Sequence, residues 1–147
     1  MIRLAAVALV LAAGCSEPPP APGRMDPADA ASVALGAKVY AQHCAACHGA
    51  KLEGQPNWRQ KLPSGRMPAP PHDEEGHTWH HPDGVLFGIT KHGLKDYAPP
   101  GYESDMPAFA ATLADAEIRA ILAYIASHWS AEVLKLRAEM TQHQPRR

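Results

Sequence analysis

Three cysteines occur in this 147-residue chain, and two of them stand in Cys44-Ala45-Ala46-Cys47-His48. No other feature narrows the possible folds as far, because few chemistries need that spacing. A C-x-x-C-H run lets two thiols reach one edge of a flat macrocycle and add to the two vinyl groups of haem. The adjacent imidazole then lies under the iron as a nitrogen ligand. A zinc half-site needs a second Cys or His pair at matching spacing, and the remaining cysteine, Cys15, does not supply one. A thioredoxin-like redox pair needs a strand before it, whereas the residues ahead of Cys44 carry a helical pattern. The motif points to one covalent haem c on Cys44 and Cys47, with His48 as an axial iron ligand.

The rest of the composition agrees with a small cofactor-centred domain. Aromatic residues are few, while 15 prolines, 11 glycines and 9 histidines make a loop-rich chain with a modest apolar core. A chain of this kind gains stability from a large apolar group at its centre. The formal net charge is −1 and no Lys/Arg block is present, which excludes nucleic acid as an expected partner.

The first residues read as an export signal. Arg3 is followed by an apolar run from Leu4 to Ala13, too short for the roughly 20 residues of a spanning helix. Leu11-Ala12-Ala13-Gly14-Cys15 resembles a bacterial lipoprotein signal, with small residues ahead of a lipid-accepting cysteine, although Leu stands one place earlier than in the commonest form. The expectation is a signal over residues 1–14, then lipidated Cys15 and a Pro/Ala-rich tether over 15–28. The alternatives are ordinary cleavage with Cys15 left free, or a start codon further upstream. Each reading places the mature chain in the periplasm, and Ser16 after the cysteine resembles lipoproteins sorted to the outer membrane.

Iron bound by His48 has a second axial position to fill. Met106, in Ser104-Asp105-Met106-Pro107-Ala108-Phe109, is the expected ligand, since a thioether favours ferrous iron and raises the potential. Pro107 restricts Met106 to extended backbone. Met67-Pro68 has the same local look, but it follows His48 so soon that little chain is left to wrap the haem edge. His72, His77, His80, His81 and His92 are further candidates. The same histidines, with Asp73 and Glu74 beside them, also raise the possibility of a copper or zinc site. Against it, Gly76 and Pro82 oppose a helix that would bring His77 and His81 onto one face. A polar loop is the simpler reading.

Taken together, residues 29–130 resemble a bacterial class I cytochrome c. The resemblance implies an all-α fold of helices around one haem, with long Pro/His-rich loops. It places a first helix at Ala30 to His43, with Gly36 and Tyr40 where the family has a small residue and an aromatic. A later helix runs from about Asp115 to His128, and its Ile118, Ile121, Leu122 and Ile125 form a buried stripe. Tyr124 is expected near Gly36. Ala114 holds the N-cap place of that helix, where the family has Ser or Thr, leaving Thr112 or Asp115 to cap it. The family also orients its proximal histidine through a backbone carbonyl, often of a proline, and Pro56 best matches that position.

Pro63, Pro68, Pro70 and Pro71 keep the middle of the chain out of helix until a helical signal begins at Pro82 and runs to His92. Trp58 and Trp79 are candidates for haem-edge contacts through their indole N–H, with core packing as the plainer role for each. Residues 131–147 read as an amphipathic helix with a basic end, open to docking on the domain or to meeting a partner, with a solvated tail as the simpler reading. The function implied is that of a single-haem electron carrier, not an enzyme, meeting a redox donor and acceptor and held to a membrane through Cys15. A haem enzyme or sensor acting on a small molecule, and a metal-handling protein using residues 72–92, are the alternatives.

Overall fold

The computed structural model describes residues 25–142. The signal, Cys15 and most of the tether lie outside that range. The regular elements among the described residues are α1 (Ala30–His43), α2 (Ala45–His48), α3 (Asp83–His92), α4 (Asp115–Ala126) and α5 (Ala131–Gln142), with one 3-10 turn at Thr78–His80. The domain is all-helical, as expected. Helix α1 begins where Asp29 accepts hydrogen bonds from the N–H groups of Ala31 (3.0 Å) and Ser32 (3.3 Å), satisfying two of the orphan donors of its first turn.

The centre of the fold is the contact of α1 with α4. At Gly36 the two backbones come so close that a Cβ there would lie 1.9 Å from the carbonyl oxygen of Ala120 and 2.8 Å from Cβ of Tyr124. The rings of Tyr40 and Tyr124 meet one turn further on, centroids 5.3 Å apart. The expected stripe of Ile118, Ile121, Leu122 and Ile125 is buried, and so are Ala120, Ala123 and Ala126. Helix α4 is thus wrapped more fully than an amphipathic stripe implies, because α1 and α3 both pack on it and small alanines allow them close.

Neither Thr112 nor Asp115 caps α4. The Glu117 carboxylate accepts from the Ala114 N–H at 2.8 Å, which is the reciprocal half of a capping box without its Ser/Thr partner. Asp115 is engaged elsewhere, in an ion pair with Lys91 at 2.7 Å that ties α4 to α3.

Helix α5 corrects the expectation of a solvated tail. Val133 and Arg137 on it are buried. The Arg137 guanidinium donates to the carbonyls of Trp79 (2.9 Å) and His81 (2.5 Å) and pairs with Asp83 at 2.5 Å. The Glu74 side chain accepts from the Ser130 N–H at the start of the helix. The helix is therefore the clamp that holds the His-rich loop to the body. A planar fork of donors explains why the residue is Arg: it satisfies two carbonyls and a carboxylate at once.

Two tests follow from the packing. Gly36→Ala is expected to lower stability by about 1–3 kcal/mol in thermal denaturation, since overpacking outweighs the ~1 kcal/mol gain in helix propensity. Gly84→Ala, in α3 with open space where its Cβ would stand, is expected to be neutral or stabilising in the same assay. Arg137→Met keeps length and apolar stem but takes the donor from the Trp79 and His81 carbonyls and the charge partner from Asp83, whose carboxylate keeps only the Met25 N–H bond among those described. It is expected to cost at least ~2 kcal/mol, and an unchanged melting curve would contradict the clamp.

Candidate functional site

The end of α1 delivers the motif. Cys44 closes α1 through its N–H to the Tyr40 carbonyl (2.8 Å), and its own carbonyl accepts from Cys47 (3.1 Å) and His48 (2.9 Å). This turn was not expected from the sequence, where four residues are too few for a periodic signal. It sets Cys44 and Cys47 nearly one turn apart, Cys44 half-buried and Cys47 exposed. Gly49, at φ 82°, ends the turn in a conformation that suits glycine, and its carbonyl accepts from the Tyr40 hydroxyl at 2.9 Å. Burial, with the neighbouring Cys47 adding to it, pushes the Cys44 thiol up to about 11.

The His48 ring is buried, and its Nδ1 lies 2.8 Å from the carbonyl oxygen of Pro70. A carbonyl can only accept, so Nδ1 carries the proton and Nε2 is left with a free lone pair. Burial lowers the pKa of the ring, with the Pro70 hydrogen bond working against it, which favours the neutral form, the one able to coordinate a metal.

The acceptor is Pro70, not Pro56. Pro56 lies in an exposed turn. Its neighbour Gln55 does the work there: the Gln55 N–H donates to the Ala69 carbonyl (2.9 Å), and its side-chain oxygen accepts from the Ala69 N–H (3.0 Å). The pair clips the 69–71 segment in place. Proximity in sequence favoured the nearer proline, but Pro70-Pro71 carries the better signal. Pro71 has no N–H and holds the preceding residue extended, so the Pro70 carbonyl is free to serve a side chain. Gly54, at φ 67°, backs directly onto Pro71, where a Cβ would meet the Pro71 nitrogen at 2.4 Å.

His72 stands on this same side. Its ring stacks on that of His48 with centroids 4.0 Å apart and planes 21° from parallel. A ring in that position flanks His48 on one face and is not set opposite it. Burial, with His48 and His77 nearby, holds its pKa well below the ordinary histidine value.

Met106 is half-buried against the apolar core. Its N–H donates to the Ser104 hydroxyl at 3.0 Å, and behind it the Phe109 and Ala110 N–H groups bond to the Thr90 and Lys91 carbonyls at the end of α3. A cavity of about 550 Å3 opens beside Met106, lined also by His92, Lys95, Pro99 and Tyr102. Arg66 pairs with Asp105, and with Glu103 at 3.6 Å. The residues preceding Met67 and Met106 are thereby joined, so two methionine loops that are far apart in sequence become neighbours.

The remaining expected residues lie elsewhere. Trp79 donates its indole N–H to the Glu74 carbonyl (3.3 Å) and stacks on His80 (3.6 Å), so that N–H is already committed within the protein. Trp58 stands against His77 (5.3 Å) with the Arg59 guanidinium 4.4 Å above its ring. His77 and His81 contact edge to face at 5.5 Å. Among the described residues no group of three or more His, Cys, Asp or Glu side chains is arranged to hold a metal ion.

The residues present fit a covalent haem. Two thiols nearly one turn apart and a neutral imidazole with Nε2 free are the donor set that such an attachment uses. No curated protein and no solved structure matches the chain. The family model described as cytochrome c matches residues 33–129, from within α1 to just before α5. That match spans the motif, the Pro70 segment, the Met106 loop and the α1–α4 contact in one stretch, and the chain belongs to the cytochrome c family, whose members carry covalently attached haem c.

Proposed function

We propose that this cytochrome is a periplasmic electron carrier with one haem, held at a membrane by lipid on Cys15, in which His48 and Met106 are the axial ligands of the iron. Bound haem supplies a one-electron Fe(III)/Fe(II) couple. The chain's own residues do the rest. Cys44 and Cys47 fix the cofactor, and the Pro70 carbonyl orients His48 and raises its basicity. The Met106 thioether favours the ferrous state. Cys47 is exposed where Cys44 is half-buried, so the attachment edge at Cys47 is the side open to a redox partner. Contact there is expected to be weak and brief, because a carrier must release as readily as it binds.

The observation that carries this reading is the hydrogen bond from His48 Nδ1 to the Pro70 carbonyl, which leaves Nε2 unprotonated beside the two attachment thiols. Methionine as the second ligand rests on the backbone hold on the Met106 loop and its half-buried place on the core. Carrying electrons, and not transforming a small molecule, follows from both axial positions being filled. Donor and acceptor are redox proteins, and the carrier is equally suited to stand alone or within an oxidoreductase complex.

In the ferric holoprotein, Met106→Ala is expected to remove the sulfur-to-iron absorption band at the red end of the visible spectrum. It should also lower the potential by a sizeable part of the roughly 0.8 V over which axial ligands act. Met67→Ala is expected to leave both unchanged, and survival of the band in Met106→Ala would transfer the role to another residue. For the anchor, Cys15→Ser is expected to move the cytochrome from the membrane fraction to the soluble periplasm with its haem content intact. A wild-type protein already found soluble after export would contradict the lipid.

A further inference from the structure

His72 is half-buried beside His48, yet neither the attachment of haem nor its ligation calls on it. The ring is held from several directions. Its Nδ1 lies 2.7 Å from the Thr78 hydroxyl, which itself reaches the Pro71 carbonyl at 3.4 Å. With that hydroxyl donating to Pro71, His72 Nδ1–H is the donor to Thr78. The backbone is pinned as well: the His72 N–H donates to the Leu52 carbonyl (2.7 Å), and its own carbonyl accepts from the Trp129 indole at 2.8 Å. Tyr40 presents an edge to the ring at 6.3 Å. A side chain fixed this thoroughly has little freedom left, and one face of its ring lies on the His48 imidazole, 4.0 Å away and nearly parallel.

We infer that His72 is a positioning residue for the proximal ligand, a flat wall that fixes the plane of the His48 ring and keeps water from that side of the iron. This inference rests on the axial role proposed for His48. The Pro70 hydrogen bond holds one edge of the imidazole, and a ring stacked on one face blocks rotation about the iron–nitrogen axis. Neither restraint does this alone: a single hydrogen bond tolerates tilting, and a wall without it tolerates sliding. Ferric haem carries one more positive charge than ferrous, so excluding water from the proximal side disfavours the ferric state and raises the potential. An aliphatic side chain would also exclude water, but it would not cover a flat ring face to face, and it has no polar atom for Thr78 to lock.

The test uses the holoprotein, with midpoint potentials from optical redox titration and ligand-plane orientation from ferric electron paramagnetic resonance. His72→Ala is expected to shift the ferric-to-ferrous equilibrium toward ferric by up to about tenfold, ~59 mV for a one-electron couple, and to alter the resonance pattern. His72→Phe, which restores a flat ring without the Thr78 bond, is expected to recover most of both. The inference is overturned if His72→Ala matches wild type in both readouts, or if His72→Phe departs as far as His72→Ala. Should His72→Ala not fold, wild-type ferric protein still decides the matter by nuclear magnetic resonance. The His72 ring protons should show strong paramagnetic shifts, and diamagnetic positions would overturn the inference. A wild-type spectrum without a histidine-ligated low-spin iron removes the role of His48 itself. An intact spectrum with an insensitive His72→Ala removes only that of His72.

Discussion

At Gly36 the backbone of α1 lies against the carbonyl of Ala120 with no room for a side chain, and the placement of nearly everything else descends from that contact. It fixes the angle at which α1 leaves the core, and therefore where its last residue, His43, hands over to Cys44. The same approach brings Tyr40 against Tyr124, and the Tyr40 hydroxyl then reaches Gly49, just past the motif. One helix crossing thus anchors the attachment turn at both ends. The stabilisation is apolar burial and dispersion, and the specificity comes from shape, since a single added methyl would have to displace main chain.

The proximal side is built from chain that has no regular structure. Residues 69–72 form no helix or strand, are pinned by Gln55 on one flank and Leu52 on the other, and present a carbonyl and a ring to His48 within three residues of each other. Prolines make this possible. They remove donors that would otherwise pair locally and keep the strip from coiling, so its polar groups are free to serve a side chain. A stretch that looks like filler in composition is the part that sets the tautomer of His48.

What could be read from the sequence was whatever depends on neighbours in the chain. The attachment motif, the α1 boundaries at Ala30 and His43, the α4 stripe and the pairing of Gly36 with Tyr124 all follow from local spacing and a family pattern. What could not be read depends on partners far along the chain. Choosing Pro70 over Pro56 needs the clip from Gln55 to Ala69, and stacking of His72 on His48 needs the turn that Thr78 anchors. The docking of α5 needs Arg137 to find three acceptors in the Trp79–Asp83 loop. A basic residue on an amphipathic helix reads as solvent-facing, and only the unpaired carbonyls of a distant loop make burying it favourable. The N-cap of α4 escaped for a smaller reason: the family's hydroxyl is missing, and Glu117 supplies half of its work from the other side.

The clamp at Arg137, together with Trp129, divides the molecule by the order in which it becomes available. A chain is made from its N-terminus, so α1 and the turn from Cys44 to Gly49 can form from residues already present. The hydrogen bonds within that turn span only a few residues. The His-rich loop receives its Trp129, Ser130 and Arg137 partners across more than fifty residues. Without those partners the His-rich loop and the 69–72 strip lack their outer support. Helix α5 shuts this side and follows in the chain every residue it closes over, so the side is completed only after the residues of the attachment motif are in place.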